Sequence, residues 1–176
     1  MPGHEVRVIG PDGAPCEGEG DIAVRRGSAS MMLEYWRRPE ATAEKFRGDW
    51  MLTGDRGVAE GTYIRFVGRD DDVISSGGYR IGPAEIEDCL LTHASVATAA
   101  VVGKPDPIRG EIVKAYVVLR PGATCSAEGL KRHVKERLAR YSYPREIAFV
   151  EKLPMTVTGK VVRNLLKKRA AEEADL

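Results

Sequence analysis

The stretch PMTVTGKVV, residues 154–162, carries one side chain able to stabilise developing negative charge, Lys160. It lies on a loop between a strand-like run (Glu146 to Glu151) and a helix-like one (Val161 to Glu173). A Gly-Lys pair also closes the phosphate loop G-x-x-x-x-G-K-[ST], whose backbone amides and lysine cradle phosphates. Here Pro154 stands where the first glycine is required and Val161 where the magnesium-binding hydroxyl is required, so that motif is excluded. Read alone, Lys160 is a solvated surface lysine. Upstream, Asp70, Asp71 and Asp72 are consecutive, which raises a calcium loop, but the spaced D-x-D-x-D-G pattern with its distant glutamate is absent. Cys16, Cys89 and Cys125 are odd in number and far apart, and His4, His93 and His133 never fall at metal-ligand spacing. These are reduced thiols with no structural zinc.

The 176 residues suit one ordinary domain or two small ones, and an apolar content of 43% suffices for a core. The formal charge is +1 with both signs interspersed. No global field calls for nucleic acid or an anionic membrane. No apolar run reaches the ~18 residues that span a bilayer, and the N-terminus lacks a basic-then-apolar leader pattern. A soluble, cytoplasmic protein is expected.

The elements that must position these residues change character along the chain. EVRVI and GDIAVR alternate around the turn PDGAP, RPEATAEKF reads as a short helix with Thr42 exposed, GDWMLTGDRG returns to turn chemistry, and TYIRFVG is a further strand. RDDDVISSGGYRIG is a loop or hairpin and marks the domain boundary. Beyond it, PAEIEDCLLTH starts a helix at Pro83, with Ile86 and Leu90 four apart. SVATAAVVG and EIVKAYVVL are strands. Ser126 caps a helix over 127–140 whose Leu130, Val134 and Leu138 form an apolar stripe opposite a basic face. EIAFVE is a third strand and VVRNLLKKRAAEE a last amphipathic helix. The expected fold class is α/β (α+β): a small β-rich unit over 1–68, then a compact α/β domain over 69–176 with a three-stranded sheet and flanking helices.

Four stretches in order, LTGDRG (52–57), FVGRDDDVI (66–74), SSGGYRIGPAEIE (75–87) and PMTVTGK (154–160), resemble the C-terminal portion of the adenylate-forming (AMP-binding) superfamily, which includes acyl-CoA synthetases. GYRIGPAEIE, with the upstream EYWRRPEATAEKF and TGD, is most similar to the medium-chain acyl-CoA synthetase branch, and the resemblance runs from PGHEVRVI to NLLKK. It implies a reaction of a carboxylic acid with ATP to give acyl-AMP and pyrophosphate, then with CoA to give the thioester and AMP. The implied small-molecule partners are the acid, ATP with Mg2+, and CoA, none tightly bound, in fatty acid metabolism.

The resemblance assigns roles residue by residue. Asp55 is expected to accept hydrogen bonds from the ribose hydroxyls of ATP, or else to be a turn aspartate beside Gly54. Arg69 adds a cationic fork near the same ribose, and Asp71 matches the hinge about which the small domain swings. Gly77 and Gly78 line the channel for the CoA pantetheine arm or simply make a tight turn. Tyr79 follows them, and Arg80 is either a phosphate or CoA contact or the partner of Glu85 or Glu87. Lys160 is the catalytic residue, entering the site only in the adenylation state, with Arg163 supporting it.

The family's Ser/Thr/Gly-rich phosphate loop, Tyr-Gly-x-Thr-Glu segment and acyl pocket belong upstream of PGHEVRVI. The 176 residues alone are therefore expected to be an inactive C-terminal piece, since positioning supplies much of a two-substrate rate. The alternative is a stand-alone CoA- or adenylate-binding or protein-interaction module. Strand edges and apolar surface left uncovered would invite self-association into a homo-oligomer.

Overall fold

In the computed structural model, which describes residues 3–174, the chain divides into two compact units, Met1–Asp71 and Asp72–Leu176. The first is built from β1 (Val6–Ile9), β2 (Gly18–Arg25), helix α1 (Pro39–Glu44), β3 (Phe46–Arg47), β4 (Trp50–Glu60) and β5 (Tyr63–Arg69). Its five strands form one antiparallel sheet in the order β1-β2-β4-β3, with β5 also pairing to the long β4. Gly20 and Gly57 face each other across β2 and β4. A methyl on Gly20 would lie 2.4 Å from the Ile9 carbonyl oxygen, and one on Gly57 2.8 Å from a methyl of Ile64. The small core is Ile9, Ala23 and Trp50, with Leu52 against it.

The second unit contains β6 (Ile74–Ser76), β7 (Tyr79–Ile81), α2 (Pro83–Leu91), β8 (Val96–Asp106), β9 (Gly110–Leu119), α3 (Ala127–Lys135), β10 (Glu146–Phe149) and α4 (Arg163–Glu172). β8 and β9 form a long antiparallel pair turned by Asp106, whose carboxylate accepts the backbone N–H groups of Ile108 and Arg109 at 3.0 and 2.8 Å. β10 runs parallel to β9, which requires a crossover, and α3 supplies it. Alternation along β8 and β9 sends Val101, Ala115 and Val117 to one face with Ile86, Leu90, Leu130 and Val134 of α2 and α3. Val102 and Tyr116 go to the other face, with Leu166 and Ala170 of α4. The sheet is thus covered on both sides, and each fully buried Ile, Leu or Val contributes about 1.5–3 kcal/mol.

The α/β class and the three expected strands are present, but the sheet has five strands, not three. The additional two are β6 and β7, a hairpin too short for a period to register in the sequence. It joins the sheet by pairing Ser76 with Gly110 and by two tethers: the Gly77 N–H donates to the Arg109 carbonyl at 2.9 Å, and the Ser75 N–H to the Glu111 carboxylate at 2.7 Å. Helix α3 is capped by Ser126, whose Oγ accepts the Gly129 N–H at 3.1 Å, but it ends at Lys135 and not at Arg140. Arg137 and Leu138 both donate to the Val134 carbonyl, which closes the last turn. The chain then turns toward β10, while Leu138 still packs on the core.

Candidate functional site

Two groups of candidate residues lie in the two units. In the first, the register of β4 and β5 sets Asp55 opposite Arg69. The Asp55 N–H donates to Thr53 Oγ1 at 3.1 Å, and that hydroxyl donates to the Ile22 carbonyl at 2.9 Å, fixing the strand at Asp55. Arg69 Nε lies 3.9 Å from the Asp55 carboxylate and 3.2 Å from that of Asp71. Asp55 is one-third exposed and Arg69 just over half. A fixed carboxylate accepts two donors on adjacent carbons, and a guanidinium beside it offers donors to the oxygens between them.

Gly54 adopts φ +85°, a left-handed conformation suited to glycine, and a methyl there would meet Lys45 Nζ at 3.5 Å and Arg69 Nη2 at 3.7 Å. Lys45 therefore stands over the same backbone as Asp55, which sequence reasoning missed. No spacing rule links Lys45 to Gly54; the β3–β4 turn brings them together. Lys45 also lines a cavity of about 550 Å3 with Tyr35, Arg38, Arg47, Gly54 and Asp70. Asp71 is the last residue of this unit, exposed, with Arg69 as a partner.

In the second unit Lys160 ends a tight turn. Thr156 N–H donates to the Lys160 carbonyl at 2.7 Å, the Lys160 N–H donates to Thr156 Oγ1 at 3.0 Å, and Gly159, at φ +81°, donates to the Thr156 carbonyl at 3.0 Å. A bridge between Met155 and Val161 and a bond from Val162 N–H to the Pro154 carbonyl close the base of this hairpin. Thr156 and Thr158 hydroxyls bond to each other at 3.0 Å. Both threonines, the glycine and the proline carbonyl thus serve to present Lys160. Its side chain is exposed, and among the described residues no carboxylate pairs with it.

Gly77 and Gly78 form the two-residue turn of β6 and β7 with φ +57° and +85°. Positive φ at both positions is the primed hairpin turn that Gly-Gly favours. A methyl at either would meet nothing within 4 Å, so the conformation alone demands glycine and the surface above the turn is open. Tyr79 stacks on Tyr141, with ring centroids 4.2 Å apart and planes 7° from parallel, leaving both about half exposed. Arg80 is exposed, and among the described residues it pairs with neither Glu85 nor Glu87. Glu87 is engaged elsewhere: one oxygen accepts Arg163 Nη2 at 2.6 Å and the other the Val101 N–H at 2.8 Å. Among the described residues no group of His, Cys, Asp and Glu is arranged to hold a metal ion, so the Mg2+ expected with ATP has no carboxylate cage in these residues.

The AMP-binding enzyme C-terminal domain family model matches residues 85–160, which run from α2 to Lys160. The chain is 46% identical over 179 residues to the mitochondrial acyl-coenzyme A synthetase ACSM3 of Mus musculus, covering 96% of this chain and 31% of the relative. It is 49% identical over 174 residues to the uncharacterized acyl-CoA ligase YtcI of Bacillus subtilis (strain 168), covering 96% and 33%. Residues 85–160 belong to the AMP-binding enzyme C-terminal domain family. The anthranilate CoA ligase AuaEII in complex with anthranoyl-AMP superposes on this chain with a TM-score of 0.88 at 34% identity, over 99% of this chain and 35% of that one. ATP-bound MatB of Rhodopseudomonas palustris does so with a TM-score of 0.86 at 33% identity, over 96% and 34%. The chain spans about a third of the length of the curated relatives it matches. Among the described residues no helix is long and apolar enough to cross a membrane.

Proposed function

We propose that these residues are the C-terminal part of an ATP-dependent acyl-CoA synthetase, comprising the end of its large domain and its mobile lid. In the first step a carboxylate oxygen attacks the α-phosphorus of ATP and the bond to the β-phosphate bridge breaks, giving acyl-AMP and pyrophosphate. In the second, the CoA thiolate attacks the acyl carbon and the acyl–phosphate bond breaks, giving the thioester and AMP. Asp55 accepts the ribose hydroxyls, and Arg69 holds Asp55 and donates to the ribose from the side. Lys160 brings an ammonium to the oxygens of the α-phosphate as charge develops there. Asp71 is the hinge, and the hairpin of Gly77, Gly78, Tyr79 and Arg80 flanks the arm of CoA, with Arg80 free to take a phosphate.

The observation that carries this reading is the presentation of Lys160: a hairpin whose hydroxyls and glycine all serve to hold out one ammonium that no carboxylate among the described residues neutralises. A cation at the end of a hydrogen-bonded turn, with no counter-ion among the described residues, suits a ligand that brings negative charge, and such groups are worth roughly 3 kcal/mol or more of barrier. The 176 residues contain no glycine-rich phosphate loop, so they are inactive by themselves on this reading. The test replaces the corresponding third of YtcI by this chain. The hybrid is expected to form acyl-CoA from a medium-chain acid, ATP and CoA, with Asp55→Ala raising KM for ATP and Arg80→Ala raising KM for CoA. A folded hybrid that forms neither acyl-AMP nor acyl-CoA from any of a panel of acids would overturn the reading. Micromolar binding of CoA to the 176 residues alone, seen by calorimetry and lost in Arg80→Ala, would favour an independent CoA-binding module.

A further inference from the structure

Asp72 opens the second unit, and its carboxylate, 12% exposed, is held by the helix that follows the Lys160 hairpin. Lys167 Nζ lies 2.9 Å from it and Arg163 Nη1 3.7 Å. The other end of the Arg163 fork binds Glu87 of α2 at 2.6 Å, and Glu87, 14% exposed, also accepts the Val101 N–H from the middle of β8 at 2.8 Å. Arg163 and Lys167 are one helical turn apart on the same face of α4, so two cations meet two carboxylates drawn from distant parts of the chain. Only Val161 and Val162 separate Lys160 from Arg163, and Val162 N–H makes the rung to Pro154 that closes the hairpin. Whatever fixes Arg163 therefore fixes the direction in which Lys160 projects.

Stability alone gives this cluster a weak reason to exist, because burying paired charges costs desolvation that apolar packing avoids. Arg163 Nε is moreover buried with no acceptor among the described residues. What a two-pronged ionic cluster does supply is directional registry between three elements. We propose that Asp72, Glu87, Arg163 and Lys167 are positioning residues for Lys160. They lock the base of its hairpin to the first residue of the second unit and to β8, so that the lysine and the chain segment next to Asp71 move as one body. The consequence for catalysis rests on the ligase reading above; the mechanical coupling does not.

The test is hydrogen exchange followed by mass spectrometry on the 176-residue chain, comparing wild type with Arg163→Gln, Asp72→Asn and Arg163→Lys. Exchange of the hairpin amides over 154–162 is expected to rise by about tenfold or more in Arg163→Gln and Asp72→Asn, with β8 and β9 as protected as before. Arg163→Lys keeps a charge without the fork and should give an intermediate rise; it also serves as the readable variant should Asp72→Asn not fold. Unchanged hairpin exchange in any folded variant overturns the proposal, and so does an equal rise across hairpin and β8–β9, which would make the cluster a general stabiliser. In the YtcI hybrid, Arg163→Gln should slow acyl-AMP formation while leaving thioester formation from supplied acyl-AMP unchanged, with Arg163→Lys recovering part of the loss. A hybrid without activity would count against the ligase reading and leave the exchange result standing.

Discussion

Gly103, in the middle of β8, is buried, and a methyl there would lie 2.3 Å from one carboxylate oxygen of Glu111 on the facing strand. Glu111 is the acceptor for the Ser75 N–H at 2.7 Å and so ties the β6–β7 hairpin to the sheet. The obstacle is the far end of a flexible side chain, so Gly103→Ala is expected to displace the carboxylate and leave the backbone in place. The cost is then the loss of one hydrogen bond to a charged acceptor, about 1.5–3 kcal/mol. Partial exposure of Glu111 and the gain of about 0.5–1 kcal/mol from replacing glycine within a strand reduce this to about 1 kcal/mol. That corresponds to a fall of roughly 2–4 °C in Tm for a chain of this size. The decisive assay is a double-mutant cycle by thermal unfolding. In a Glu111→Ala background the tether is already gone, so Gly103→Ala should cost nothing or stabilise slightly. An equal cost of Gly103→Ala in both backgrounds would mean that the methyl strains the strands themselves and that the Glu111 tether is not what it breaks.

Three further outcomes are expected. Ser126→Ala removes the acceptor for the Gly129 N–H and should lower stability by about 1 kcal/mol, read as a lower midpoint in urea, with Ser126→Asp retaining it. His133 is held below its ordinary value by burial, against a raising contribution from the Cys89 carbonyl. The unfolded state therefore takes up the proton more readily, and the stability that neutral His133 confers is present above the ordinary histidine value and lost as pH falls through the folded one; His133→Gln should flatten the dependence of Tm on pH between about 7.5 and 5. Glu146 feels burial, which raises it, but hydrogen bonds from Lys104 and Lys114 prevail and hold its carboxyl below the ordinary value. Its contribution is present above the ordinary carboxylate value and fades as pH falls through the lowered one, so Glu146→Gln should lose stability at neutral pH and lose less on further acidification, measured by urea unfolding at pH 7 and 3.5.

Much of this fold was legible because local signals agreed with tertiary needs. Pro83 and Ser126 mark helix starts by backbone chemistry that the tertiary structure leaves untouched, and Leu130 and Val134 keep their stripe because that face meets the sheet. Gly77-Gly78 similarly announces a hairpin, though nothing local says that β6 and β7 dock on the edge of β9, which depends on Glu111 and Arg109 far along the chain. The overextension of α3 has the opposite cause: Leu138 continues the helical period but reaches the core from a turn. In the site, LTGD and FVGRD could be found as motifs, whereas the facing of Asp55 and Arg69 follows from a β4–β5 register with an irregularity between Arg56 and Gly57, which no spacing encodes. The sequence marks Arg163 only as support for Lys160. Its partners Glu87 and Asp72 are visible only once α4 is laid across β8, and that placement also explains why Glu87 is already engaged and does not pair with Arg80.

On the proposed reading Lys160 acts in one half-reaction, and Lys160→Ala in the YtcI hybrid, with the two half-reactions measured separately, puts that role to the test. Removing roughly 3 kcal/mol of charge stabilisation should slow acyl-AMP formation, followed as pyrophosphate release, by about a hundredfold or more, while thioester formation from supplied acyl-AMP and CoA keeps its rate. Equal losses in both half-reactions, or no loss in acyl-AMP formation, would rule out that role for Lys160.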